Sequence, residues 1–185
     1  MKKILLISGL FVVVVIAAAI IYGFNRTKSY SPESNVAFEE GKLKISVFYN
    51  RPSKKGRMIF GGLVPFGKTW RTGANEATTF ETNMELIIGD KKLPAGKYSL
   101  WTVPNEQSWS VVFNSVIPNW GIDVMNNGEA ARDTLTDVLV ADAPVVTTGK
   151  EFEQFTISVD KVDDMLELVF AWDKTLVAVP LTLRE

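Results

Sequence analysis

The stretch KYSLWTVPNEQSWSVVFN, residues 97–114, sets two runs rich in aromatic and β-branched side chains on either side of the polar segment NEQS. Such runs read as strands and the segment between them as a hairpin turn. Working outward, KLKISVFY (residues 42–49) places Leu43, Ile45, Val47 and Tyr49 on one face of another strand. MELIIGDKKLPAGKYSL carries turn signals at Gly89-Asp90 and Pro94-Ala95-Gly96. Downstream come TLTDVLVADAPVV, FEQFTISV, MLELVFAW and LVAVPLTL, with bends at Asp163-Asp164 and Asp173-Lys174. The last two runs, around Trp172-Asp173-Lys174-Thr175, are expected to form a tight hairpin. Beyond the first thirty residues no segment sustains a helical period, although NNGEAARDTL has room for one short helical turn. About nine or ten short strands at this spacing predict an all-β antiparallel β-sandwich, jelly-roll-like, as a single domain over residues 36–185. The strand Trp and Phe residues belong to its core.

The chain opens MKKILLISGLFVVVVIAAAIIYGFNRTK. Lys2 and Lys3 precede an uncharged run over residues 4–25, which as a helix spans about 30 Å, the thickness of a bilayer's hydrocarbon core. The small residues Ala17, Ala18 and Ala19 lie inside the run, followed by Ile20 and Ile21, whereas a cleavable signal peptide has small residues just before its cut. Residues 1–26 are therefore read as a transmembrane signal anchor, with a signal peptide as the alternative. Lys2, Lys3 and the amino terminus outweigh Arg26 and Lys28, which keeps the tail cytoplasmic and puts the domain outside, periplasmic or extracellular. A cleaved segment would leave a secreted protein. Residues 27–35, TKSYSPESN, are expected to be a flexible polar linker.

The 185 residues carry a net charge of -1, which points to no nucleic-acid role. The charge is unevenly spread. Residues 41–75 hold eight basic residues and no acid, while residues 122–185 hold thirteen acids and five bases. The basic segment is either an anion-attracting patch or a loop whose charges balance the acidic strands. The absence of Cys and His removes disulfides, thiol chemistry, His-dependent triads and the usual zinc ligands. No metal and no cofactor is expected, and catalysis would fall to carboxylates, Lys, Arg or Tyr.

GLVPFGKTWRTGANEAT, residues 62–78, begins with the phosphate-loop pattern G-x-x-x-x-G-K-T at residues 62–69. That pattern works only where a helix leaves the loop at Lys-Thr, so that backbone N–H groups and the helix dipole face the phosphates. Lys68-Thr69 is followed by WRTGANEATTF, which reads as turn and then strand, so no nucleotide is expected. SVDK, residues 158–161, has a Ser-x-x-Lys spacing, but residues three apart on a strand point to opposite faces. RPSKKGR supplies Arg51, Lys54, Lys55 and Arg57, which with Arg71 could gather carboxylates or phosphates. Trp70 offers a stacking face, and Asn75 and Glu76 offer hydrogen bonds. Against this stands a structural reading in which Arg71 pairs with Glu76 and Trp70 packs in the core. Glu76 with Glu81, or either with Asp123, would be the carboxylate pair of a glycan hydrolase.

Over RPSKKGRMIFGGLVPFGKTWRTGANEATTF, residues 51–80, the chain resembles the bacterial family known as domain of unknown function 2911. The likeness continues through LPAGKYSLWTVPNEQSWSVVFN and NWG, and more loosely through DVLVADAPV, so that it covers most of the region from about Val36 onward. It implies an exported, sandwich-like β domain, carries no activity with it, and does not depend on Lys68-Thr69. The leading expectation is a membrane-anchored, non-catalytic module. It would bind an anionic or sugar-like envelope molecule, or a protein partner, through Arg51, Lys54, Lys55, Arg57, Trp70, Arg71, Asn75 and Glu76. A glycan hydrolase and a purely structural module are the rivals.

Overall fold

A computed structural model describes residues 2–183 of the chain; for residues 2–9, 24 and 25 it describes the backbone alone. The side chains of Lys2 and Lys3, on which the expected orientation turns, lie outside the described residues, as do Arg184 and Glu185 at the end of the expected domain.

Helix α1 (Lys2–Tyr30) is followed by eleven strands: β1 (Glu33–Glu40), β2 (Leu43–Asn50), β3 (Thr79–Thr82), β4 (Leu86–Ile88), β5 (Lys91–Leu93), β6 (Gly96–Pro104), β7 (Ser108–Asn114), β8 (Ile122–Asp123), β9 (Glu129–Ala130), β10 (Asp137–Val162) and β11 (Met165–Leu183). By length and composition α1 can cross a membrane over Leu10–Tyr30. Nine strands form one continuous sheet in the order β1-β2-β3-β6-β7-β10-β11-β4-β5, every neighbouring pair antiparallel. β8 and β9 make a separate ribbon.

The two long strands fold this sheet into a sandwich. β10 pairs with β7 over Asp137–Pro144 and with β11 from Val145 onward, and β11 then reaches β4 through Thr182 and Leu183. Residues from both halves share one core, among them Ile45 and Val47 of β2, Leu100 of β6, Phe113 of β7, and Phe155, Leu168 and Phe170 of β10 and β11. Leu43, Ile45, Val47 and Tyr49 are all buried, as their alternation predicts. Turns fall at Gly89-Asp90, at residues 105–107 and at Asp163-Asp164, and a 3-10 turn at Thr134–Thr136 closes the NNGEAARDTL region.

Two expectations need correction. Trp172–Thr175 is no hairpin turn: β11 runs straight through it, with Asp173 at φ 55° and register shifts on β10 on either side of Phe152 absorbing the irregularity. Nor are residues 27–35 a flexible stalk. α1 continues to Tyr30, β1 begins at Glu33 in register with β2, and Ser31 between them is buried. Ion pairs tie the stretch to its surroundings: Lys28 Nζ lies 2.6 Å from Glu33 and 2.7 Å from Glu76.

Candidate functional site

Trp70 lies beside β6 where a longer β3 would have run. Its backbone exchanges hydrogen bonds with Thr102 (2.7 and 3.1 Å), and Leu100 N–H donates to Thr78 O at 2.8 Å. Between Trp70 and Thr78 the chain leaves the sheet in a short excursion. Thr72 (φ 53°), Gly73 (φ 149°) and Asn75 (φ 57°) all have positive φ, a conformation that glycine adopts freely and asparagine more readily than most residues. At Gly73 a Cβ would stand 2.9 Å from Asn50 O, so the excursion closes down on the end of β2 only because that position has no side chain. Thr78 Oγ1 donates to Thr72 O at 2.8 Å and locks the base. These turns carry residues 72–75 into the interior, while Arg71 just before them stays half-buried.

Arg71 is the anomaly. Its Nε is buried without a hydrogen-bond partner, and the guanidinium has no ion pair among the described residues. Burial, with nothing to offset it, pushes its pKa below the ordinary value, although an arginine remains charged. The stem is gripped from outside the loop: a Cβ on Gly121 would sit 2.6 Å from Arg71 Cδ, and Gly121 N–H donates to Asn75 O at 2.9 Å. The NWG segment and the WRTGANEAT segment, far apart in sequence, therefore form one unit.

Glu76 does not answer Arg71. Its carboxylate pairs with Lys28 and accepts from Asn50 Nδ2 at 3.0 Å. Burial would push this carboxyl up, but hydrogen bonds from Lys28, its own backbone and Asn50 outweigh it and hold the pKa below 4.5. The expected Arg71–Glu76 pair is thus replaced by two separate arrangements, because the left-handed turns between them point the side chains apart. Asn75, buried, reaches Ser31 O and Asn50 Oδ1, both at 3.4 Å.

The remaining predicted residues divide. Arg51 donates to Phe155 O and Thr156 Oγ1, and Lys54 is neutralised by Glu151 and Asp173, so both knit the basic loop to β10 and β11. Arg57 donates to the carbonyls of Ser53 and Lys54, which orient it and leave its charge uncompensated. Lys55 Nζ lies 4.5 Å from the Tyr30 ring centroid, a cation–π contact. Lys55, Arg57 and Arg71 line a single cleft of about 540 Å³ whose walls, among the described residues, contain no carboxylate. Trp70 and Trp172 line it as well, as do Tyr30 and Ser31, neither suggested by the sequence. Trp70 is less a free platform than a core residue, stacked on Trp172 (5.8 Å, 16°) and met edge-on by Phe60, Trp109 and Phe155. Arg71 also borders a second cleft, about 560 Å³, with Lys68 and Arg132.

The carboxylates expected to pair are dispersed. Glu81 faces Lys97 on the sheet surface at 3.9 Å, and Asp123 caps Met125 N–H at 2.9 Å. Of the three clefts described, Asp123 lines the third, and Glu76 and Glu81 line none. Lys68-Thr69 is followed by the Trp70 bridge and then strand β3, with no helix to cradle a phosphate. Ser158 and Lys161 lie on β10 and bond to Asp160 and Glu40 respectively.

The family described as Protein of unknown function (DUF2911) matches residues 31–181. No curated protein and no solved structure matches the chain.

Proposed function

The chain belongs to the DUF2911 family, and from that premise we propose that it is a membrane-anchored, non-catalytic module that binds an anionic envelope molecule in the cleft over Arg71. The observation that carries this reading is the Arg71 Nε, buried and without a hydrogen-bond partner among the described residues. A buried donor left unsatisfied costs about 1–3 kcal/mol, and a fold tolerates it where a ligand completes it. Lys55 and Arg57 add positive charge on the same walls, with no acid to cancel it. An anion is favoured over a neutral sugar because the Trp70 ring is occupied by other rings. The helix α1 would anchor the module, with the domain outside the cytoplasm on the charge balance of Lys2 and Lys3 against Arg26 and Lys28.

Arg71→Met tests the reading, since it keeps the stem packed on Gly121 and removes only the charged head. Full-length protein in zwitterionic detergent, titrated with inorganic phosphate and with glycerol phosphate, should show a saturable change in tryptophan fluorescence from Trp70 and Trp172. Arg71→Met should abolish it. A response unchanged in the variant would sink the proposal.

A further inference from the structure

The structure assigns the anion a source: we infer that the cleft takes the phosphate of a phospholipid headgroup from the leaflet in which α1 ends. This rests on the anion-binding reading above and adds three observations to it.

The first is height. The uncharged run ends at Asn25, and Tyr30 lies five residues further along the same unbroken helix, about 7 Å at 1.5 Å per residue. The polar layer on each side of a bilayer is about 5–7 Å thick. The part of the cleft lined by Tyr30 and Ser31 thus stands at headgroup level. The second is rigidity. Lys28 bridges Glu33 and Glu76, Ser31 N–H donates to Lys28 O, and Ser31 O accepts from Asn75. The domain is seated on the helix end, without a stalk that would let the cleft float free.

The third is the loop beside the cleft, Lys55–Lys68. It exposes Met58 (73%), Leu63 (47%) and Phe66 (38%), and it carries Lys55, Arg57 and Lys68 and no acid. Leu63 lines the cleft itself. Apolar side chains in company with uncompensated bases suit the boundary between headgroups and acyl chains, where the apolar groups insert and the cations meet lipid phosphates. A site for a freely diffusing anion would need the bases but gain nothing from exposed apolar side chains on the loop that supplies its wall.

The test uses the full chain in nanodiscs of phosphatidylcholine, with and without phosphatidylglycerol. Because the chain has no cysteine, Met58→Cys gives a single site for a nitroxide label. The label should be more accessible to oxygen than to an aqueous nickel reagent. Native mass spectrometry of the protein released from the mixed discs should show a retained phosphatidylglycerol. That adduct should fall about tenfold in Arg71→Met, as loss of a charge-assisted hydrogen bond implies, and less in the exposed variant Arg57→Gln. A water-exposed label with no adduct, alongside an intact Arg71-dependent response to glycerol phosphate in detergent, would overturn the lipid assignment and leave the anion site standing. An adduct insensitive to Arg71→Met would overturn it too. Absence of both the adduct and the glycerol phosphate response in the unsubstituted protein would remove the anion site along with it.

Discussion

Arg71 and Arg132 border the same cleft, yet the chain treats them in opposite ways. Arg132 is finished: its guanidinium grips both oxygens of Asp137, Nε at 3.0 Å, and reaches Thr69 Oγ1. Asn114 Nδ2 donates to the same carboxylate at 2.8 Å. Arg71 is half-buried, its stem is clamped at Gly121, and its Nε has no hydrogen-bond partner among the described residues. The fold is able to complete an arginine a few residues away in space and leaves this one open. The pairing of Arg132 with Asp137 is what a structural arginine looks like here, and the proposed anion site rests on Arg71 departing from it.

The largest effect should come from undoing that difference. Asp137→Ala leaves the largely buried Arg132 without its ion-pair partner and with only Thr69 as a hydrogen-bond acceptor, and should cost about 3 kcal/mol, read as a fall in the urea midpoint. Arg71→Met does the reverse and should leave the ligand-free protein unchanged or stabilise it by about 1–2 kcal/mol, since it removes an unsatisfied buried donor. Destabilisation by Arg71→Met comparable to that of Asp137→Ala would make Arg71 a brace, and the contrast between the two would collapse.

Gly121→Ala asks whether Arg71 is aimed or merely enclosed. Its new methyl would stand 2.6 Å from Arg71 Cδ and 2.8 Å from Cβ, and the near atom Cβ cannot swing away. The expected cost is about 1–3 kcal/mol of overpacking, with anion affinity reduced as the guanidinium is pushed off its line. Unaltered affinity in a folded Gly121→Ala protein would mean that the grip of Gly121 does not set the direction of Arg71.

What could be read from the sequence follows a physical divide. Period-two alternation is local, so β2 and the β6–β7 hairpin were legible from Leu43–Tyr49 and from residues 97–114. Partners far away in sequence were not. Residues 27–35 look like a coil because they are polar, but Glu76 and Glu33 satisfy Lys28, and Asn75 satisfies Ser31. Trp172–Thr175 looks like a turn because Asp tolerates positive φ; Lys54, 119 positions away, takes the Asp173 carboxylate and the strand continues. Of the site, the cluster of bases and Arg71 itself were visible. Its lining at Tyr30 and its clamp at Gly121 were not, although the presence of NWG within the family likeness was a signal that this segment belonged with the loop.

Glu76→Gln tests the seating of the helix on the domain. It keeps an acceptor for Asn50 and removes the charge facing Lys28, at an expected cost of about 1 kcal/mol at neutral pH. The sign of its pH dependence follows from the carboxyl being held below 4.5 in the folded state. The stabilisation is fully present above that value and is lost as pH falls through the folded pKa. Melting curves of the wild type and Glu76→Gln should therefore differ at pH 7 and converge in acid. A gap that stays constant down to pH 2 would show that the charge on Glu76 contributes nothing.

The smallest effect is expected at the carboxylate farthest in character from the cleft. Glu81 lies on β3 with its side chain about half exposed, 3.9 Å from Lys97 across the strand pair. Two long, hydrated side chains at that distance gain little in water, so Glu81→Gln should move stability by less than about 0.5 kcal/mol. It should also leave anion binding at Arg71 untouched, because Glu81 lines none of the described clefts. The substitution is informative because the hydrolase alternative enlists Glu81 as one of its two acids. Loss of a glycan-cleaving activity in Glu81→Gln, with the fold intact, would move the functional centre to the sheet surface and leave the open guanidinium of Arg71 without an explanation.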